Sequence, residues 1–182
     1  MAEAIYTQIV AAVRTRLRTI VADAGATYWY TPSLVEEFPA LTDEEVLQKC
    51  AGLGSSPSAP ATVYIISPGL EEKSPATMGT SGKRKGRMML DVSAAQRFTA
   101  ATENPVEPPS PSRITVQSRM IRDIEKALLA DQTSAAANLG MAEVTDVEVT
   151  AADRTAENTW QKGWALAFLR VEILYHYPVG TP

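Results

Sequence analysis

The sequence is short of the residues on which most catalytic chemistry rests. Its 182 residues include one cysteine, Cys50, and one histidine, His176. A lone cysteine excludes an internal disulfide and any zinc site of the CxxC type. A lone histidine leaves a serine triad a single possible base, and His176 sits in a strand-like stretch where a surface or packed imidazole is the plainer reading. Long apolar runs are missing too, since none approaches the roughly 20 residues a membrane helix needs. No basic segment followed by an apolar one opens the chain, so no secretory signal is expected.

What is present is ordinary. A 45% hydrophobic, 21% charged chain of net charge −4 is too apolar for a disordered protein. Its length predicts one domain, residues 1–182, able to bury a sizeable core. The residues alone therefore predict a soluble intracellular α+β domain.

The apolar residues Ile5, Ile9, Val13, Leu17 and Ile20 recur every three or four positions, with Tyr6, Val10 and Val21 widening the stripe. That period predicts an amphipathic helix over roughly 3–23, with Gly25 as its left-handed C-terminal cap. Arg14, Arg16 and Arg18 read as its solvated flank. Tyr28-Trp29-Tyr30 reads as a short strand or extended segment ended by Pro32, its aromatics serving core packing before any ligand platform. Thr42 and Glu45 form a capping box for a small helix, with Val46, Leu47 and Cys50 facing inward. A loop over 52–61 leads to a strand, 62–66, dense in β-branched residues.

From Ser67 to Gly86 prolines and glycines replace the apolar pattern, predicting a long loop. A strand then resumes at 87–92 as the returning arm of one long hairpin. A proline-rich loop over 99–112 precedes a second amphipathic helix, roughly 113–130, marked by Ile114, Met120, Ile121, Ile124, Ala127 and Leu128, with Ser112 as its cap. Val144, Val147 and Val149 indicate a strand, and 151–158 a turn. The closing stretch, 160–177, alternates Leu169, Val171, Ile173, Tyr175 and Tyr177 with Arg170, Glu172 and His176, the period-two signature of a strand with one buried face. The fold expected is α+β: an antiparallel or mixed sheet flanked by two amphipathic helices on one face, with long loops near 67–86 and 99–112.

Two glycine motifs fail on inspection. Around Gly82-Lys83, Thr77 stands where a phosphate-binding P-loop needs its first glycine, and Arg84 where it needs Ser or Thr. After Gly52-Leu53-Gly54, Pro57 replaces the third glycine of a dinucleotide fingerprint. The acids Glu36-Glu37 and Asp43-Glu44-Glu45 need no role beyond capping and the helix dipole. No catalytic residue, metal ligand or cofactor site is assigned, and no enzyme is expected.

Charge distribution is more telling. Lys83, Arg84, Lys85 and Arg87 place four positive charges in five residues, while 131–160 carries six acids (Asp131, Glu143, Asp146, Glu148, Asp153, Glu157) against Arg154. The basic run admits three readings: a solvated loop, a nucleic-acid contact, or a contact with the acidic region of a neighbouring copy. A contact of the last kind is head-to-tail and closes rings. Acidity overall and the lack of aromatics within the run argue against a nucleic-acid stacking platform.

The order of these elements resembles that of tailed-bacteriophage tail terminator and tail-completion proteins. The resemblance covers the N-terminal helix, Tyr28-Trp29-Tyr30-Thr31-Pro32, the strand and long loop from Thr62 to Val92, the helix from Arg113 to Leu129, and the closing strand from Trp164 to Ile173. It implies a structural virion protein, assembled in the host cytoplasm. Such a protein forms a ring, usually sixfold, capping the head-proximal end of the tail tube. Its partners would be other copies of itself, the tail tube protein and the head connector or neck, with DNA met only in passage through the lumen and no membrane. Lys83, Arg84, Lys85 and Arg87 would then belong to a subunit interface or lumen loop, and no cofactor is implied.

Overall fold

A computed structural model describes residues 4–23, 25–38, 45, 62–73, 83–97, 113–130, 138–154 and 164–178. The N-terminal stripe folds as helix α1, Ile5–Arg18, burying Ile9, Val10, Val13 and Leu17. It stops short of the expected residue 23, where Thr19 donates both its amide and its hydroxyl to the Arg16 carbonyl. Val21 therefore leaves the apolar face and is 62% exposed. Gly25 is not the helix cap. It is left-handed, φ +85°, but inside a turn where Asp23 and Gly25 both donate backbone amides to the Tyr28 carbonyl. A Cβ there would overlap the Trp29 ring, so only glycine fits. Arg18 is likewise not merely solvated, since its guanidinium donates to the Val35 carbonyl at 3.1 Å.

The strands are β1 (Leu34–Glu37), β2 (Thr62–Lys73), β3 (Lys83–Arg97), β4 (Val144–Arg154) and β5 (Trp164–Pro178); the second helix, α2, is Arg113–Leu128. They form one mixed sheet in the order β1-β2-β3-β5-β4, with β1 parallel to β2 and every other pair antiparallel. Both helices cover one face, as the element pattern predicts. Their apolar stripes meet Tyr64 and Ile66 of β2, Met88, Leu90 and Val92 of β3, and Leu169, Val171 and Ile173 of β5. A second, smaller cluster (Val63, Ile65, Ala95 and Leu166) lies on the opposite face. Ile114, assigned to the buried side of α2 by its spacing, is 66% exposed at the helix start.

The loop expected over 67–86 begins later and ends earlier. Strand β2 runs on to Lys73 and β3 starts at Lys83. Proline and glycine did not stop β2 because β1 ends opposite Ile66, so Pro68 lies where β2 has become an edge and needs no outward amide. Gly69 begins a bulge, between Pro68 and Glu71, where a side chain would come within 2.7 Å of the Met89 carbonyl oxygen. The turn expected from 151 also yields to strand, because β4 pairs with β5 as far as Arg154 opposite Ala167. Tyr28-Trp29-Tyr30 is not a strand: the chain bends at Trp29 and does not join the sheet. The small helix around 42–50 with Cys50, the loop at 52–61, the proline-rich stretch at 99–112 and the Ser112 cap lie outside the described residues, apart from Glu45.

Strand β4 carries two bulges five residues apart. The register with β5 skips Thr145 and Thr150, and each skipped threonine turns its hydroxyl to a β5 carbonyl, Leu174 at 3.1 Å and Arg170 at 3.4 Å. The odd spacing from Val144 to Val147 is the sequence trace of the first bulge. Without it, period two would send one of those valines to solvent.

Candidate functional site

Pairing registers bring most of the sequence-predicted charge to one end of the sheet. There the start of β3 lies between the end of β2 and the end of β5, and the start of β4 joins from the far side. Lys83, Arg84, Lys85 and Arg87 are strand residues, not a loop, and strand alternation divides them. Arg84, opposite Tyr177, points to the helix-covered face; Lys83, Lys85 and Arg87 point to the open one.

On the open face Arg87 is already engaged. Its Nε and Nη2 each reach a Glu172 carboxylate oxygen at 2.6 Å, a bidentate pair, and Nη1 lies 3.5 Å from Glu72. The bond to Glu172 raises the arginine pKa, fixing its charge. A second cross-strand pair, Arg170 with Asp91, stands one row away. Lys83 and Lys85 are exposed with no ion-pair partner among the described residues. His176 faces Lys85 across the ladder, and its backbone amide donates to the Glu143 carbonyl at 2.7 Å. Glu148 of β4 is exposed and sits directly opposite Glu172, a like-charge pair relieved, among the described residues, only on the Glu172 side by Arg87. No strand pairs with the outer edge of β4 among the described residues.

On the helix-covered face, the Tyr175 hydroxyl donates to Glu71, and Lys73 lies 3.6 Å from the same carboxylate. Burial, then the Glu71 bond, raises the Tyr175 pKa, so the phenol stays protonated. Gly86 makes the contact possible, because a Cβ there would overlap the Tyr175 ring. Beside them, Tyr177 is 8% exposed with its hydroxyl unbonded, and the Nε of Arg84 is buried and unbonded too. Lys73 lies 5.7 Å from the centre of the Tyr177 ring.

The aromatic segment has a structural task. Three α2 residues at helical spacing, Arg119, Asp123 and Lys126, clasp it. The Arg119 guanidinium lies 3.8 Å from the Trp29 ring centre, Asp123 accepts both the Trp29 and Tyr30 amides, and Lys126 donates to the Thr27 carbonyl at 2.6 Å. Tyr28 and Tyr30 also pack, partly buried, against the core, as the core-packing reading expects, whereas the described contact of the Trp29 ring is with Arg119. The clasp went unread in the sequence because three polar residues on a helix look like a solvated face.

Among the described residues no group of three His, Cys, Asp or Glu side chains could hold a metal ion, and no helix is long and apolar enough to cross a membrane. Compared with known protein families and with curated proteins, the chain finds no matching family model and no matching protein.

Proposed function

We propose that the protein is a structural ring subunit of a tailed-bacteriophage virion. In this reading it caps the head-proximal end of the tail tube, stops tube polymerisation and joins the tail to the head connector. The observation that carries the reading is the asymmetry of the sheet. Helices cover one face, and one flank ends in an 11-residue strand, β4, whose outer edge is unpaired among the described residues. An unpaired edge is a ready surface for a neighbouring chain. Here two bulges and the acids Asp146 and Glu148 keep like edges from pairing with each other, so a head-to-tail partner of different surface is favoured. The role is geometric and requires neither catalysis nor a cofactor. The nucleic-acid alternative is weakened by the engagement of Arg87, which leaves Lys83 and Lys85 as the open-face cations of the basic run.

Negative-stain electron microscopy of the purified protein at low and moderate salt tests the proposal. Closed rings of uniform diameter are the expected result. Long filaments would make the protein a tube subunit instead. Dispersed monomers that bind duplex DNA with a steep salt dependence would replace the ring reading with the nucleic-acid one.

A further inference from the structure

Buried polar groups are nearly always bonded, so two unbonded ones on neighbouring residues call for an explanation. The Nε of Arg84 and the hydroxyl of Tyr177 are such a pair. The two residues are register partners on the helix-covered face, which sets their Cβ atoms about 5 Å apart. Both atoms can donate a hydrogen bond, and Arg84 can only donate. The nearby carboxylate, Glu71, is already shared by Tyr175 and Lys73. Among the described residues this place lacks a free acceptor carrying negative charge.

We infer that Arg84 and Tyr177 form a socket completed by a carboxylate from a second copy of this chain, Glu148 on the edge strand β4. The inference rests on the ring reading above and names the contact that would close the ring. Charge selects the residues. Arg87 is neutralised within its own chain, and Lys83 and Lys85 are exposed ammonium groups that water serves well. Arg84 alone in the basic run combines a full charge with a desolvated, unbonded donor. On the other side Glu148 is exposed, lacks a cationic partner among the described residues and faces Glu172, so a cation from outside relieves a repulsion. The planar guanidinium fork suits a carboxylate. Arg84 as a whole is only part-buried, so part of the residue reaches the surface beside its buried Nε.

The test is the concentration dependence of assembly of the full chain, read as molar mass by light scattering after size exclusion, for wild type and for Arg84→Gln, Tyr177→Phe, Glu148→Gln and Lys83→Gln. Arg84→Gln and Glu148→Gln should each raise the concentration at half-assembly by roughly tenfold or more, from the worth of a charged hydrogen bond. Their double variant should be little worse than either alone. Lys83→Gln removes the same charge one residue away and should change it by less than about threefold. The exchanged pair, Arg84→Glu with Glu148→Arg, should restore assembly. Near-ultraviolet circular dichroism of each variant at monomer concentrations checks the fold, and Tyr177→Phe, which keeps the ring, serves if Arg84 variants misfold. Rings that form equally well in the Arg84, Tyr177 and Glu148 variants overturn the socket and leave the ring reading standing. A wild type that never assembles overturns both.

Discussion

Asp123, in the middle of α2, accepts the backbone amides of both Trp29 and Tyr30, at 2.9–3.1 Å. One buried carboxylate thus replaces the strand partner that the aromatic segment does not have. Without it, two amides at a part-buried joint between helix and segment would go unbonded. The Tyr64 hydroxyl is buried and unbonded, and burial, then the Asp123 charge, raises its pKa and keeps this phenol protonated.

Replacing Asp123 with alanine should destabilise the fold by about 1–3 kcal/mol, the cost of leaving buried donors unpaired. Asp123→Asn retains one acceptor oxygen and should lose less. Denaturant unfolding followed by Trp fluorescence measures both, because Trp29 reports on the joint directly. Equal midpoints for wild type and Asp123→Ala would show that the amides find another acceptor.

Two aspartates at this joint should give opposite pH dependences. Burial raises the Asp123 pKa despite its amide bonds, so folding favours its protonated form. Its contribution is greatest below the unfolded pKa, near 4, and is lost as pH rises through the folded value. At Asp23, bonds from the Thr27 and Tyr28 amides lower the pKa, so its contribution is present above about pH 4 and lost as pH falls through the folded value. Asp23→Asn should therefore flatten the loss of stability in acid, and Asp123→Asn the decline above pH 4. Unfolding midpoints taken from pH 2.5 to 7 check both signs.

Gly86→Ala should displace the Tyr175 ring and break its bond to Glu71, at a cost of about 1–3 kcal/mol typical of overpacking. The Tyr175 phenol would then titrate at lower pH than in the wild type. Ultraviolet titration of the tyrosines detects the change independently of stability.

The bulges of β4 predict a graded pair. Thr145→Val and Thr150→Val keep the branched shape and remove the hydroxyl bonded to β5. Thr145→Val should cost about 0.5–1.5 kcal/mol, and Thr150→Val less, because its bond is longer at 3.4 Å. Thr145→Ser, which restores the donor, should recover part of the loss in the same unfolding measurement.

Apolar periodicity predicts the two helices and the buried face of β5, and composition predicts strands at β2, β3 and β4 without assigning their faces. Burying a stripe such as Ile9, Val13 and Leu17 or Leu169, Val171 and Ile173 outweighs any local preference. Where a strand stopped was not local. Pro68 and Gly69 read as breakers, yet they are harmless where β1 has ended, and that depends on a neighbour more than thirty residues away. The sites followed the same division. That Lys83, Arg84, Lys85 and Arg87 are basic was plain. That alternation splits them, that Glu172 neutralises Arg87 and that Arg84 is left beside Tyr177 came from the register of β3 against β5. Register is fixed by the whole sheet packing its apolar face beneath two helices, and no window of sequence contains that information.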